Sequence, residues 1–308
     1  MAEEKDAAKE VDPVIQRFMD EQNQGHRIRI PLFRKLEKIF GKPIITFFTS
    51  FLYPVAMEDQ DVDMLAGILQ MMDLGKGVII VVSSPGGDGL AAERMINVCR
   101  TFSKIGTYDV VVPGKAKSAA TMFCFGANKI LMGPTSELGP VDPQVRIMEG
   151  GVPKYISAHH IVTSYEELFK GAVGEKGNLE PYLQQLGNYN TSVIKAYRSA
   201  ISLSKSITIQ ALKSGMMSNK TEVEIESCMK VFLDPENTQT HGRPIFLKNT
   251  KVCGLSAEGI DPKSETWMLI YELYIRTNHY VSTYVSKCIE NKEHSFTAQP
   301  PPPTPQQN

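Results

Sequence analysis

The chain has 308 residues, of which 42% are hydrophobic and 22% charged, as in a globular protein that buries a substantial core. Its formal net charge of −1 leaves no basic excess, so neither nucleic acid nor an anionic membrane surface is expected as a partner. The five cysteines are widely spaced and lie mostly in apolar runs, which indicates reduced core residues and neither a disulfide framework nor a zinc site.

Residues 1–43 are interpreted as a partly helical N-terminal extension. Residues 1–12 are strongly charged, so we expect them to be disordered, and apolar spacing predicts helices at 14–22 and 31–40. The charged start lacks the apolar segment of a secretory signal, and no stretch reaches about eighteen uninterrupted apolar residues. We therefore expect a cytoplasmic protein without a membrane span.

Strand and helix signals then alternate through a predicted catalytic core at residues 44–260. Continuous β-branched runs predict strands, and amphipathic spacing predicts helices. The predicted elements are a strand at 44–51, a helix at 62–72, a strand at 77–82, a helix at 90–102, a strand at 108–112, a helix from residue 118 and a strand at 129–132. Their alternation indicates an α/β fold with a parallel sheet. Acidic residues at 58–61 are expected to cap a helix and not to bind a metal.

The C-terminal part is predicted to lie outside this core. Residues 261–292 are assigned to a C-terminal helix, in which 265–289 is rich in aromatic residues and suited to packing or oligomer contacts. Residues 293–308 are predicted to be a disordered, proline-rich tail of the kind that docks in proline-binding domains.

The most informative stretch lies around Ser118. A buried-type strand at Val110–Val112 ends at Pro113-Gly114, and Ser118 opens a helix of small residues. A serine at such a junction lies beside the unpaired N–H groups of the helix, where a developing anion is stabilised. Ser118 is therefore a candidate nucleophile. The alternative is an ordinary N-cap, the commonest role of a serine at a helix start.

A second strand-to-helix turn, SSPGGDG, occupies residues 83–89. Since the carboxyl ends of parallel strands meet at one edge of a sheet, the two turns are expected to face each other. The N–H groups of Gly86, Gly87 and Ala119 would then bind the oxygen of a carbonyl attacked by Ser118. The alternative for the Pro-Gly-Gly run is an ordinary turn.

Three segments carry a family pattern: SSPGGDGLAAERM, GKAKSAAT and ILMGPTSELGPVDPQ, of which residues 138–144 are the most specific. Together they resemble the Clp protease/crotonase superfamily, and more closely the serine dehydrogenase proteinase family, relatives of signal peptide peptidase A. The resemblance extends over roughly residues 34–255. It implies a repeated ββα (β-α-β) superhelix with added N- and C-terminal helices. It also implies a homo-oligomeric serine peptidase that acts on peptides or proteins, with an unfoldase as a partner.

The resemblance does not decide which residue is the general base. In Clp proteolytic subunits a histidine follows the serine in the loop where this chain has Asp142, and the triad aspartate aligns near Gly242. Two candidate bases replace that histidine: His241, next to the aspartate position, and Lys154, an amine base like that of the signal peptide peptidase branch. Asp142 is a candidate to orient a histidine.

Two further features bear on activity. His159 and His160 follow Ser118 at nearly the same distance along the chain as Lys154. They lie on a predicted helix, where a histidine is more often a surface or core residue than a catalytic base. Ala119-Ala120 stand where the family's serine is usually followed by two glycines, which narrows the oxyanion site or leaves it inactive.

The leading hypothesis is a serine hydrolase, a peptidase, that forms an acyl-enzyme at Ser118 and needs no cofactor and no metal. One alternative is a catalytically inactive Clp-like scaffold or assembly subunit. Another is a crotonase-like acyl-CoA enzyme, which would need a cluster of Lys or Arg that the sequence does not suggest. No GxGxxG motif follows a predicted strand, so a nicotinamide cofactor is not expected.

Overall fold

The computed structural model describes residues 14–302, with side chains described from residue 19 onward except at position 149. Residues 1–13 and 303–308, on which part of the predicted disorder falls, lie outside the described residues.

Strands and helices alternate along the core, as the sequence predicts. The strands are β1 (Ile44–Thr49), β2 (Val78–Ser83), β3 (Tyr108–Val112), β4 (Lys115–Ala116), β5 (Lys129–Met132), β6 (Glu137–Leu138), β7 (Gln144–Glu149), β8 (Val152–Ser157), β9 (Ala257–Gly259), β10 (Lys287–Glu290) and β11 (Ser295–Ala298). The helices are α1 (Val14–Asn23), α2 (His26–Phe40), α3 (Asp59–Leu69), α4 (Gly89–Phe102), α5 (Ala119–Phe125), α6 (Ala158–Gly174), α7 (Glu180–Leu186), α8 (Thr191–Lys213), α9 (Glu222–Cys228), α10 (Lys230–Leu233), α11 (Pro235–Thr238), α12 (Leu247–Val252) and α13 (Glu265–Thr283). Between residues 14 and 302, no helix combines the length and apolarity that a bilayer crossing requires.

A seven-stranded sheet in the order β11-β10-β1-β2-β3-β5-β9 organises the molecule. Its five strands from β1 to β9 run parallel, while β10 and β11 are antiparallel additions at one edge. Two short ladders, β4 with β6 and β7 with β8, lie outside this sheet. The predicted α/β class with a parallel sheet is confirmed.

Helices cover both faces of the sheet. On β2, Val78, Ile80 and Val82 pack in the larger core with residues of α3, α4 and α5. Ile79 and Val81 point to the opposite face and pack with residues of α2 and α13. Burial on both faces explains why these strands are continuous apolar runs without polar alternation.

The parallel pairing determines where the two candidate turns lie. Strands β2 and β3 are hydrogen-bonded neighbours, with Val81 opposite Val111. Each strand ends a few residues before a helix, so the turn after Ser83 and the turn that reaches Ser118 emerge at the same edge of the sheet. The expected juxtaposition of the two turns is therefore present.

The C-terminal prediction is wrong for the described residues from 284 to 302. Helix α13 ends at Thr283, and the chain then forms the β10–β11 hairpin instead of a helix to Ile289 and a disordered tail from 293. Strand β10 pairs antiparallel with β1, with Glu290 opposite Thr46. Strand β1 is buried along its whole length, and without this partner its edge would leave backbone groups unpaired. Strand β10 has only four residues and forms by pairing with the distant strand β1, so its local sequence gives little indication of a strand.

A buried ion pair joins the hairpin to the N-terminal part of the fold. The side chains of Arg29, on α2, and Glu290, on β10, are both 0% exposed, and Arg29 Nη2 donates to Glu290 Oε2 at 2.7 Å. The Arg29 guanidinium also lies 4.7 Å from the ring centroid of Tyr280 on α13. Removal of one partner from such a pair leaves an uncompensated buried charge.

We expect Glu290→Gln to lower the free energy of unfolding by about 3 kcal/mol or more, because Arg29 would remain buried without its counter-charge. Urea unfolding measures the loss. Glu293→Gln is the matched control, since the Glu293 side chain is 53% exposed and its contact with Lys292 is 3.8 Å long. Equal midpoints for the two variants would contradict the structural role of the hairpin.

Candidate active site

A cavity of about 1020 Å³ opens at the carboxyl edge of the sheet. Sequence-predicted site residues from distant parts of the chain line this cavity: Ser118, the Gly86-Gly87 turn, Asp142 and His241. Ala119 is buried directly behind Ser118, and Lys154 does not line the cavity. The fold therefore brings together most of the predicted residues and separates one.

Ser118 adopts a backbone conformation that is unusual for a residue with a side chain. Its φ of 51° and ψ of −121° lie outside the common regions, and its side chain forms no capping hydrogen bond with α5. The ordinary N-cap alternative therefore does not describe this serine. Strained residues of this kind persist where the surrounding structure holds them, and they are concentrated at functional sites.

The surrounding structure that holds Ser118 is the Gly86 turn. The two turns are connected by backbone hydrogen bonds from Ser84 N–H to Lys115 O and from Lys117 N–H to Ser84 O, both 3.0 Å long. A Cβ at Gly86 would lie 2.4 Å from Lys117 O and 2.8 Å from Ser118 Cβ, and φ of Gly86 is +94°. Only glycine permits this approach.

Two backbone N–H groups near Ser118 are available to bind an oxygen atom. Gly86 N–H is already used, since it donates to Ser84 Oγ at 3.1 Å. Within residues 14–302, Gly87 N–H forms no hydrogen bond, and Gly87 is exposed at the cavity. Ala119 is the first residue of α5, so its N–H has no carbonyl partner in the preceding helical turn.

His241 and Asp142 form a hydrogen-bonded pair. Their atoms Nδ1 and Oδ1 are 2.7 Å apart, the His241 side chain is 25% exposed and that of Asp142 only 2%. Burial would raise the pKa of Asp142, but the hydrogen bond and charge interaction with His241, together with further donors such as Gln144, outweigh it and hold that pKa below its usual value. An ionised Asp142 favours the tautomer in which Nδ1 carries the hydrogen and Nε2 can accept a proton.

The pair depends on the loop that the sequence pattern identified as most specific. Val141 N–H donates to Phe232 O at 2.8 Å, and Leu138 and Ile245 exchange two backbone hydrogen bonds of 3.0 Å. These contacts bind the loop before Asp142 to the segments on both sides of His241. The Asp142 carboxyl and the His241 ring are thereby held against each other.

The alternative base lies elsewhere. Lys154 is on β8, exposed at the surface of the β7–β8 hairpin. Lys117 is largely buried, and its Nζ is 2.7 Å from Glu137 Oε1, so its charge is balanced within the protein. His160 lines the cavity, whereas His159 does not.

The β7–β8 hairpin and two residues at its open end escaped the sequence analysis. Gln144 Nε2 donates to Asp142 Oδ2 at 2.7 Å, and its cross-strand partner Ser157 lines the cavity. A recognisable signal was present, because Gly150-Gly151 separates two runs of strand-forming residues, as in a two-residue hairpin. Among the described residues, no group of three or more His, Cys, Asp or Glu is placed to hold a metal ion.

One protein family matches a large part of the chain. Its model, described as ClpP-like SDH-type serine proteinase, matches residues 15–162, just under half of the chain. The resemblance to SDH-type serine proteinases is confirmed. The SDH-type match includes Ser118, the Gly86-Gly87 turn and Asp142, and it ends before His241.

Two curated relatives come from Methanocaldococcus jannaschii. The uncharacterized protein MJ0137 is 27% identical over 125 residues, which are 40% of this chain and 40% of the relative. The uncharacterized protein MJ1495 is 28% identical over 126 residues, which are 41% of this chain and 39% of the relative. The chain thus spans about two fifths of the length of the curated relatives it matches.

Two solved structures of the 1510-N membrane-bound stomatin-specific protease are also similar. One is a serine-to-alanine mutant, with 17% identity over 68% of this chain, and the other a lysine-to-alanine mutant in complex with a substrate peptide, with 18% identity over 72%. Each match covers 94% of the protease chain with a TM-score of 0.30. This score is too low for any feature of those proteases to be transferred here.

We expect Gly86→Ala to destabilise the protein by about 2 kcal/mol or more, because the new Cβ would overlap Lys117 O in a backbone conformation that alanine avoids. Thermal or urea unfolding measures the effect. Gly174→Ala is the control: this helical glycine has nothing within 4 Å of an added Cβ, so the change is expected to be neutral or slightly stabilising. Similar losses in both variants would contradict the close approach of the two turns.

The lowered pKa of Asp142 predicts a dependence of stability on pH. A carboxyl with a depressed folded-state pKa contributes stability above its unfolded value, about 3.9, and the contribution is lost as the pH falls through the folded value. Below about pH 4 the wild type should therefore lose unfolding free energy more steeply than Asp142→Asn. Urea unfolding at a series of pH values tests this, and parallel curves would exclude it.

Proposed function

We propose that this protein is a serine hydrolase that cleaves peptides through an acyl-enzyme at Ser118. The observation that carries the proposal is the His241–Asp142 pair, 2.7 Å between Nδ1 and Oδ1, at a cavity that Ser118 also lines. A serine hydroxyl attacks an amide only when a base accepts its proton, and a histidine oriented by a carboxylate is suited to that role.

In the proposed mechanism, Ser118 Oγ attacks the substrate carbonyl carbon while His241 Nε2 accepts the hydroxyl proton. The imidazolium then donates that proton to the leaving amine, which breaks the peptide bond and leaves an ester on Ser118. Water hydrolyses the ester with the same base. Asp142 keeps Nδ1 protonated and stabilises the positive charge that develops on the ring.

The developing oxyanion would be bound by the N–H groups of Gly87 and Ala119. Both groups are unpaired within the described residues and border Ser118, and the second lies at a helix N-terminus. The Gly86 N–H, initially a third candidate, is committed to Ser84 Oγ. In this proposal Gly86 allows the close approach of the two turns, and Gly87 donates the hydrogen bond to the oxyanion.

The residue types at the base position support the same proposal. The sequence resemblance places Asp142 where Clp subunits have the triad histidine, and His241 beside the position of their aspartate. The two residue types are therefore interchanged along the chain, yet they form the same kind of hydrogen-bonded pair. This arrangement favours His241 over Lys154, which is exposed on β8 and does not line the cavity.

The remaining functional expectations belong to this proposal. They are a Clp/crotonase-like ββα superhelix, a homo-oligomeric assembly, a cytoplasmic location, and an unfoldase or proline-binding partner. The acyl-CoA alternative is less well supported, because none of the side chains described along the cavity is a Lys or Arg that could bind phosphates.

The proposal predicts the pattern of labelling by a fluorophosphonate probe, which phosphonylates activated serines and releases fluoride. Ser118→Ala should abolish labelling, and His241→Gln should slow it by about 10²-fold or more because the proton acceptor is lost. Lys154→Met and the control His279→Gln, a histidine on α13, should both label at the wild-type rate. The measurement is the rate of probe incorporation on a gel.

Each alternative gives a different pattern. Unchanged labelling of Ser118→Ala would exclude Ser118 as nucleophile. Loss of labelling in Lys154→Met but not in His241→Gln would assign the base to Lys154. A folded wild type that never labels, and cleaves no peptide, would favour the inactive scaffold.

A further inference from the structure

The Asp142 carboxylate has more partners than its pairing with His241 requires. Its second oxygen, Oδ2, accepts a 2.7 Å hydrogen bond from Gln144 Nε2. Because Asp142 is 2% exposed, this donor replaces water that would otherwise orient the group.

The Gln144 donor is held in place by the β7–β8 hairpin. Gln144 begins β7 and Ser157 ends β8, and the two residues are direct cross-strand partners at the open end of the hairpin. The loop connects to this end through Pro143, whose carbonyl accepts from Ala158 N–H at 2.9 Å. Pairing of β7 with β8 therefore forms a frame that holds the Gln144 amide against the Asp142 carboxylate.

Other charged and titratable groups face the same cavity from neighbouring elements. His241 precedes β9, Asp88 caps α4, Tyr155 lies on β8 and His160 on α6. Among these, His241 is the one in hydrogen-bonding contact with Asp142. The frame therefore acts on one acid–histidine pair.

We propose that Gln144 is a positioning residue, which holds Asp142 Oδ2 so that Oδ1 remains aligned with His241 Nδ1. This inference rests on the proposed peptidase mechanism. A carboxylate with a hydrogen-bond donor on each oxygen resists rotation, so the imidazole keeps the ring orientation and tautomer that general-base catalysis needs. The β7–β8 hairpin thereby becomes part of the catalytic apparatus through its hold on Asp142.

The test uses the full chain and two readouts. Gln144→Leu removes the donor with little change of volume, and Gln144→Glu places an acceptor against Asp142. Each should slow fluorophosphonate labelling of Ser118 by about tenfold, the usual effect of losing a hydrogen bond to a charged group. Each should also raise the pKa of Asp142, measured by NMR titration of its 13C-labelled carboxyl and assigned with Asp142→Asn.

The controls separate positioning from general stability. Gln184→Leu makes the same substitution at a surface site, where Gln184 Nε2 donates to Glu180 Oε1 at 3.2 Å on exposed α7, and it should change neither readout. Circular dichroism confirms that each variant is folded.

The outcomes distinguish the two proposals. Slower labelling with a raised Asp142 pKa supports the frame. Wild-type labelling and an unchanged Asp142 pKa in a folded Gln144→Leu overturn it, while leaving the serine hydrolase intact. A wild type that does not label overturns the hydrolase, but the NMR titration still decides whether Gln144 holds Asp142.

Discussion

The close approach of two strand-to-helix turns is the constraint on which the candidate site depends. Parallel pairing of β2 and β3 brings both turns to one sheet edge, but only a glycine at position 86 lets them touch, since a Cβ there would overlap the backbone at Lys117. That contact supports the strained backbone of Ser118, and the neighbouring Gly87 lines the cavity. The position of Ser118, the proposed nucleophile, is thus a property of backbone packing and not of a side-chain network.

The acid–histidine pair depends on a different kind of contact. Asp142 and His241 are 99 positions apart, and their loops are joined through hydrogen bonds at Leu138–Ile245 and Val141–Phe232. Because the pair is assembled by tertiary contacts, its two members can exchange places along the chain without loss of the chemical arrangement. The proposed serine hydrolase is therefore compatible with a sequence that lacks both Clp triad residues at the expected positions.

The C-terminal hairpin shows how sheet edges recruit distant segments. Strand β1 is buried along its length, so its backbone groups need a partner on each side, and β10 supplies the second one. The Arg29–Glu290 pair then connects the first long helix to the last strands. Chain ends that look peripheral in the sequence are in this way incorporated into the central sheet.

The sequence by itself determined the α/β class, the parallel core strands, the two turns and the candidate serine, because each follows from local patterns of apolar residues, glycines and prolines. It also named Asp142 and His241, but it left His241 and Lys154 open as bases. Only the tertiary structure paired His241 with Asp142, placed Lys154 on an exposed strand, and revealed Gln144, the β7–β8 hairpin and the C-terminal strands. These features depend on which distant segments meet, and burial and hydrogen bonding across the assembled fold decide that.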